Sequence, residues 1–341
     1  MKTVMLGLGM LLGACMARAQ APVPQEDFLA ARDRIEWQAG ALYDGRFEDG
    51  AAFQIELAYP LPAGVTQRDA DFFQSVWDPH HYEGQPSSLS AGKDTEAGAP
   101  LRLKVLGERD PAQGAVYAVT LAADRASGRG TLTAPSGRQR AFTLRRSVAY
   151  DGIVVKRAAP PDLADNDFYR EHGFVFAALF PVLGEAQADA WIRERAGKCR
   201  DIGECANQVH IRWRSPALVS LQATDWGNSG GAHGEQYSET RQYRIQGATM
   251  TPLGLDAFVD MRTACRTALS DAIVAALKAK GMSGADEAGL DARRAVKFTP
   301  TPNGIAFHYD PYEAGPYAQG EPTVFVTRAQ MSGCVRYLPV D

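Results

Sequence analysis

The sequence predicts an N-terminal all-β region, a small antiparallel barrel or sandwich, followed by an α+β domain with one long helix packed on an antiparallel sheet. Short runs of alternating apolar and polar residues reach residue 157, a Pro- and Ala-rich stretch follows, and a mixed pattern of helices and strands lies beyond it. A chain of 341 residues is long enough for about two domains.

The first 19 residues have the features of a secretory signal peptide. Lys2 supplies the positive start, Thr3–Ala14 forms the apolar stretch, and Ala17–Arg18–Ala19 offers a cleavage pattern of small residues. The apolar stretch is too short to span a hydrocarbon core of ~30 Å, and no later segment is long and apolar enough to do so. Leu12–Cys15 also resembles a lipobox, so a lipoprotein anchored through Cys15 is the alternative. In both cases we expect a periplasmic protein.

Residues 20–36 are predicted to be a linker or a short helix, and residues 37–157 an antiparallel β domain. Strand-like alternation is clearest in Ala52–Leu57, Leu101–Val105 and Ala115–Leu121. The turn Pro135–Gly137 separates two further alternating runs, which is typical of a hairpin. Short strands that end in Gly, Asp or Pro favour a meander closing into a barrel or sandwich.

A Pro- and Asp-rich linker at residues 158–167 separates this region from a predicted α+β domain, residues 158–341. A helix is predicted over Glu185–Arg195, and the strongest helical pattern in the chain covers Asp256–Lys280. Strands are predicted at His210–Trp213, Leu218–Trp226, Glu235–Ile245, Gly304–Asp310 and Thr323–Thr327.

Four cysteines besides Cys15 suggest two disulfides in an oxidising compartment, and three connectivities can be drawn. Cys199 and Cys205 bracket a short polar loop, so we pair them with each other. Cys265 would then pair with Cys334 and tie a helix to the C-terminal tail. No Cys-x-x-Cys or His-x-Cys spacing occurs, so we expect no metal role for them.

Charge and motifs exclude several classes of function. The formal net charge is −4 and no Lys/Arg run stands out, so we expect no nucleic-acid partner. The segment Asp78–His81 offers too few ligands for a metal site, and we expect neither a metal nor a cofactor. No recognisable catalytic set is present, which favours a binding protein over an enzyme.

Three motifs in order carry a family resemblance: Gly230–Gly234 (GGAHG), Thr251–Phe258 (TPLGLDAF) and Gly304–Gly320 (GIAFHYDPYEAGPYAQG). They resemble the extracytoplasmic domain of the lysozyme-sensing anti-sigma factor RsiV, which also accompanies some peptidoglycan deacetylases. The resemblance covers about residues 170–335 and implies a recognition domain that binds lysozyme. The apolar run here looks cleavable and only Met1 precedes Lys2, so we expect no sigma-binding or anti-sigma role.

The last of these motifs contains a loop rich in Tyr, Pro and Gly. Asp310–Pro311 ends the preceding strand, because proline cannot donate a ladder hydrogen bond. Proline and glycine stiffen and turn the loop, and Tyr312 and Tyr317 give it broad contact area with a hydroxyl. The alternative is that the rings brace a structural corner.

We therefore expect a secreted, non-enzymatic recognition protein that binds lysozyme or a peptidoglycan-related ligand. The predicted ligand-binding residues are Tyr309, Tyr312, Glu313, Tyr317 and His233, and Glu313 would suit a basic protein such as lysozyme. Two alternatives stay open. The first is a cell-wall polymer hydrolase using His233, His308, Asp310 and Glu313 as acid and base groups. The second is a purely structural envelope protein.

Overall fold

The computed structural model of the chain describes residues 28–66, 74–77, 87–91, 100–106, 114–158, 174–198, 204–228, 234–290 and 296–339. Among these residues, no helix is both long enough and apolar enough to cross a membrane.

Eight antiparallel strands make up the N-terminal region. They are β1 (Ile35–Phe47), β2 (Ala52–Ala58), β3 (Gln74–Trp77), β4 (Ser87–Ala91), β5 (Leu101–Val105), β6 (Val116–Leu121), β7 (Ser127–Thr133) and β8 (Gln139–Arg157). Each pairs with the next, and β8 also pairs back with β1, from Phe142 opposite Phe47 to Val154 opposite Ile35. The predicted antiparallel β region is confirmed.

Aromatic rings fill the inward face of these strands. The Phe53 ring lies 4.5 Å from that of Phe47 and 5.2 Å from that of Phe142, measured between centroids. Gly45 makes room for this cluster, since a Cβ atom at that position would lie 2.3 Å from the Phe53 ring. Burying each such side chain stabilises the fold by roughly 1.5–3 kcal/mol. The alternation of apolar and polar residues along each strand therefore determines which face of the sheet turns inward.

The sheet continues past the predicted boundary at residue 158. Residues 149–157 of β8 pair with β9 (Phe174–Val182), and β10 (Glu204–Arg214) lies parallel to β9. The antiparallel strands β11 (Leu218–Asn228), β12 (Glu235–Gln246) and β13 (Thr249–Leu253) complete a sheet of thirteen strands. Residues 159–167 of the predicted linker lie outside the described residues, and the division into two domains stays a prediction.

Helix α1 (Ala186–Gly197) confirms the helix predicted over residues 185–195. Glu185 caps it, because its side chain accepts a hydrogen bond from the Ala188 N–H at 2.9 Å. Trp191 and Ile192 are buried against β9 and its neighbours in the large sheet. The helix therefore covers the apolar face of these strands.

A separate three-stranded antiparallel sheet contains β14 (Phe298–Thr301), β15 (Gly304–His308) and β16 (Thr323–Thr327). One face shares an apolar core with the second helix, α2 (Thr263–Ala279); this core includes Leu269, Ile273, Leu277, Ile305, Phe307, Val324 and Val326. At the β14 edge of the small sheet, the Phe298 N–H donates to Thr240 Oγ1 at 3.0 Å, and Gln242 donates to the Phe298 carbonyl. These bonds attach the small sheet to β12.

The prediction of a helix over Asp256–Lys280 is wrong at its N-terminal end, because α2 begins only at Thr263. The backbone before α2 bonds to the C-terminal tail instead. Val259 forms a β-bridge with Val335, and the Asp260 N–H donates to the Cys334 carbonyl at 2.7 Å. An amide that bonds to the tail cannot join a helical ladder. Phe258 is nevertheless fully buried, so the apolar spacing before residue 263 reflects burial rather than helix.

Candidate functional site

The segment between β15 and β16, residues 309–322, is hereafter the tyrosine loop. Its two ends meet, since the Tyr309 N–H donates to the Pro322 carbonyl at 3.2 Å. Within it, the Glu313 N–H donates to the Asp310 carbonyl at 3.1 Å, and Tyr317–Gln319 form a short 3₁₀ turn. The loop is therefore a compact structure with its own hydrogen bonds.

A nearly buried lysine holds the base of the tyrosine loop. Lys297 Nζ lies 2.6 Å from Asp310 Oδ2 and 2.7 Å from Glu313 Oε2, and the Lys297 side chain is 12% exposed. Glu313 Oε2 also accepts a hydrogen bond from the Asp310 N–H at 2.7 Å. Asp310 Oδ1 accepts from both the N–H and the hydroxyl of Ser238, at 2.8 and 2.6 Å. Both carboxylates thus anchor the loop to β12 and to Lys297.

Tyr312 is the most exposed large apolar or aromatic side chain among the described residues, at 66%. Its backbone has a φ of +69°, a left-handed conformation that costs a residue with a Cβ atom about 1–2 kcal/mol. The ring lies 5.9 Å from that of Tyr317, tilted by 40°. The fold therefore holds Tyr312 in a strained conformation and leaves its ring in solvent.

Tyr317 joins the tyrosine loop to the start of β12. The Tyr317 hydroxyl donates to the Gly234 carbonyl at 2.9 Å. A second bond joins the same two segments, since Gln236 on β12 donates to the Glu321 carboxylate of the loop. Gly234 is the last residue of the GGAHG motif. A Cβ atom at this position would lie 2.6 Å from the Trp226 indole, so glycine leaves room for that ring. His233 and residues 229–232 lie outside the described residues. The two motifs thus meet at Gly234.

Tyr309 and His308 are built into the fold. The Tyr309 hydroxyl donates to the Ala288 carbonyl at 2.8 Å, and its ring packs on the core beneath α2. His308 Nε2 lies 2.8 Å from Thr299 Oγ1 and its Nδ1 lies 3.1 Å from Thr323 Oγ1. Burial, reinforced by the charges of Arg212 and Lys297, lowers the pKa of His308 to about 3. The imidazole is therefore neutral at neutral pH.

Sequence reasoning missed three polar groups that attach the tyrosine loop to β12: Gln236, Ser238 and Glu321. The Glu321 carboxylate accepts a hydrogen bond from Gln236, and both burial and the nearby charge of Asp310 raise the pKa of Glu321. Ser238 donates to Asp310 from the same face of β12. Only the packing of β12 against the loop brings Gln236 and Ser238 next to residues 310–321, so no local sequence signal could have found them.

The cysteine prediction is confirmed where the structure describes it. Cys265 and Cys334 form a disulfide, which is compatible with an oxidising, extracytoplasmic compartment. Cys205 is disulfide-bonded as well, and its predicted partner Cys199 lies outside the described residues. Within the described ranges, no group of three or more His, Cys, Asp or Glu side chains is arranged to hold a metal ion. Residues 78–81 lie outside them.

Comparison with known proteins finds one family. No curated protein matches the chain. A solved DUF3298 family protein from Pseudomonas aeruginosa PAO1 is similar at 18% identity, covering 44% of this chain and 69% of its own, with a TM-score of 0.33. A member of the same family from Bacteroides fragilis NCTC 9343 is similar at 16% identity, covering 57% and 95%, with a TM-score of 0.36. Residues 256–329, which include α2, Lys297 and the whole tyrosine loop, match the family model described as "Protein of unknown function (DUF3298)".

Proposed function

We propose that this chain is a non-enzymatic recognition protein of the cell envelope that binds lysozyme or a peptidoglycan-related ligand through the tyrosine loop. One observation carries the proposal: Tyr312 is held at a positive φ with its ring exposed, on a loop whose base is fixed by Lys297. Backbone strain of this kind clusters at ligand-binding segments. A pre-ordered loop also loses little entropy on binding, so its contacts yield more affinity.

The chemistry of the rim supports this proposal. Tyr312 and Tyr317 present adjacent rings, and the same loop carries the carboxylate of Glu321 and that of Glu313, which stays partly exposed beside Lys297. Aromatic rings beside carboxylates suit a basic protein surface, which is the chemistry that the RsiV resemblance implies. Sugar hydroxyls could also donate to these carboxylates, which keeps a peptidoglycan fragment as the second ligand class.

Hydrolysis has weaker support from the same geometry. A general acid or base must have a proton-transfer atom free to reach substrate. His308 is buried between two threonine hydroxyls, and Asp310 and Glu313 both engage Lys297. These groups act as anchors of the loop, which is why the proposal rests on recognition.

The test is a calorimetric titration of residues 20–341 with a purified c-type lysozyme, then with soluble peptidoglycan fragments. Tyr312→Ala is expected to abolish binding while the melting temperature stays within about 2 °C, because the described contacts of this side chain are limited to its neighbour on the loop. Tyr309→Phe is the control. It removes a hydrogen bond worth roughly 1 kcal/mol of stability beneath the loop and should leave the affinity unchanged.

Binding that survives Tyr312→Ala would remove the tyrosine loop as the recognition site. If peptidoglycan fragments give a heat of binding and lysozyme gives none, the ligand is a peptidoglycan fragment. No binding to either ligand at high protein concentration would argue for the structural role.

A further inference from the structure

Polar side chains line the junction between the large sheet and the small one. Strand β14 contacts β10, β11 and β12 on the face that points away from α1. Polar residues on this face of the large sheet are Gln208, His210, Gln222, Thr224, Thr240 and Gln242. The small-sheet face away from α2 carries Thr299, Thr301, His308 and Thr323 beside Ala306 and Phe325. Burying polar groups costs stability unless they are bonded, so a polar junction of this kind points to a function.

The N-terminal strands supply a third wall. Gln54 on β2 bonds to the backbone of Arg214 on β10: its Oε1 accepts from the N–H at 3.1 Å and its Nε2 donates to the carbonyl at 2.8 Å. Glu56, two positions along the same face of β2, has its Oε2 3.3 Å from His210 Nδ1. The place where β2, β10 with β11, and the small sheet meet is hereafter the polar corner.

Arg212 enters the polar corner from a β-bulge. The pairing of β10 with β11 shifts by one residue between Ile211 and Trp213, which makes Arg212 the extra residue. Bulges of this kind re-aim a side chain and are over-represented next to active sites. The Arg212 Nε donates to Gln222 Oε1 at 2.8 Å, which fixes the plane of the guanidinium on the polar face. The two terminal nitrogens are therefore presented in a defined direction.

These terminal nitrogens have no hydrogen-bond or ion-pair partner among the residues that the structure describes. The Glu56 carboxylate instead engages the Tyr150 hydroxyl and His210. Burial lowers the pKa of Arg212, yet part of the residue stays accessible to solvent. A charged group that is both desolvated and accessible lies at the floor of an opening. A guanidinium in such a place is stabilised when an anion pairs with it.

The charges around Arg212 indicate which anion fits. A guanidinium fork matches the two oxygens of a carboxylate or a phosphate. Burial opposes the ionisation of Glu56, but the charges of His210 and Arg212 lower its pKa to about 2, so Glu56 is negative at neutral pH. Burial, with the charges of Arg212 and Lys297, lowers the pKa of His308 to about 3, so this imidazole adds no positive charge. A ligand with one negative charge is therefore favoured over a phosphate dianion.

We propose that the polar corner binds the carboxylate of a small acid or of a peptide C-terminus, through two hydrogen bonds from the terminal nitrogens of Arg212. Gln222 positions the guanidinium, and Glu56 excludes ligands that carry a second negative charge. The site is separate from the tyrosine loop, because Arg212 belongs to β10. It holds whether or not Tyr312 contacts a ligand.

The experiment measures melting temperature and heat of binding for residues 20–341. The probes are acetate, acetamide, N-acetyl-alanyl-alanine, its C-terminal amide, and phosphate, with sodium chloride keeping the ionic strength constant. Arg212→Gln removes the guanidinium. Gln222→Glu places an internal carboxylate beside Arg212, keeps the side-chain size, and decides the matter if Arg212→Gln does not fold. Arg244→Gln, at an exposed position of β12, is the control with the same change in net charge as Arg212→Gln.

We expect a carboxylate at tenfold its Kd to raise the melting temperature of the wild type and of the control by roughly 2 °C, and the amides to have no effect. Both test variants should bind the carboxylates at least tenfold more weakly. Tighter binding of the dipeptide than of acetate would support a peptide terminus as the source, and the reverse order a small free acid. Equal effects of an acid and its amide, undiminished binding by either test variant, or tighter binding of phosphate than of both carboxylates would overturn the proposal.

Discussion

The tyrosine loop and the aromatic cluster of the N-terminal region, which is Phe47, Phe53, Tyr117 and Phe142, use aromatic rings in opposite ways. The tyrosine loop uses residues that are close in sequence, it combines exposed aromatic rings with carboxylates, and Lys297 fixes its base. The aromatic cluster collects rings from four strands, β1, β2, β6 and β8, and buries them on the inward face. One region exposes its rings and is fixed by an ion-paired base, and the other buries its rings and is fixed by packing.

This difference shows where stability and function are coupled in the molecule. In the tyrosine loop, the anchoring groups are buried, so changing one of them alters both the fold and the presentation of Tyr312. In the aromatic cluster, each ring is buried in a core that lies apart from the loop, so a substitution there should lower stability without changing the presentation of Tyr312. Measurements of stability and of binding, taken together, therefore separate the two regions.

The largest expected effect comes from Lys297→Met. Removal of the ammonium group leaves Asp310 and Glu313 without their cation in a largely buried setting, so we expect the free energy of unfolding to fall by about 3 kcal/mol or more. Lys278→Met is the matched control. It breaks an ion pair with Asp286 between side chains that are 54% and 77% exposed, which should cost less than ~1 kcal/mol. Urea unfolding measures the free energy lost in each variant. Similar losses would show that Lys297 contributes no more to stability than an exposed ion pair does.

The next effect is a pH dependence that belongs to the tyrosine-loop region. The folded-state pKa of His308 is about 3, below its ordinary value of 6.5, because burial disfavours the charged imidazolium. The unfolded chain therefore binds more protons below pH 6.5, and the stability contributed by the neutral histidine declines as pH falls towards 3. Between pH 6 and 4.5 we expect His308 to contribute a slope of about 1.4 kcal/mol per pH unit.

His308→Gln tests this slope, since an amide offers a donor and an acceptor to the two threonines but does not titrate. Denaturant unfolding at several pH values should give a shallower slope for the variant. Parallel curves would mean that His308 is not the group responsible. Glu56 titrates in a lower pH range. Burial opposes its ionisation, but the charges of His210 and Arg212 beside it lower its pKa to about 2, so its stabilisation is lost only as pH falls from about 4.5 towards 2.

The smallest effect concerns the strain at Tyr312. Tyr312→Gly removes the Cβ atom from a position with a φ of +69°, and this relief should exceed the entropy cost of glycine in the unfolded chain. We expect the free energy of unfolding to rise by roughly 0.5 kcal/mol while ligand binding is lost. A fall of more than ~1 kcal/mol in thermal or urea unfolding would show that the ring stabilises the fold, in favour of the structural role.

Much of the local structure could be predicted from the sequence. Alternation in β5 and β6 identified strands with one buried face, Glu185 marked the start of α1, and the prolines at 311, 316 and 322 marked a loop after β15. The pairing of Cys265 with Cys334 followed from the cysteine count and one short loop. These features depend on a few neighbouring residues, so a single stretch of sequence contains the information.

The prediction of the long helix was wrong at its start for a long-range reason. Phe258 and Met261 have the spacing of a helical apolar face, but the tail around Val335 occupies the backbone of residues 259 and 260. Contacts between residues more than seventy positions apart decided where the helix begins. The same applies to Ser238, which holds Asp310 from another sheet.

The sequence by itself determined the alternating strands, the stiff loop of tyrosines and prolines and one disulfide, because local sterics, hydrophobic periodicity and cysteine spacing are properties of short segments. Only the tertiary structure decided that Asp310 and Glu313 anchor a loop, that His308 is neutral, and that aromatic rings from four strands form one cluster. Burial sets the charge state of an ionisable group and strand register sets its neighbours, and both are known only after distant parts of the chain have packed.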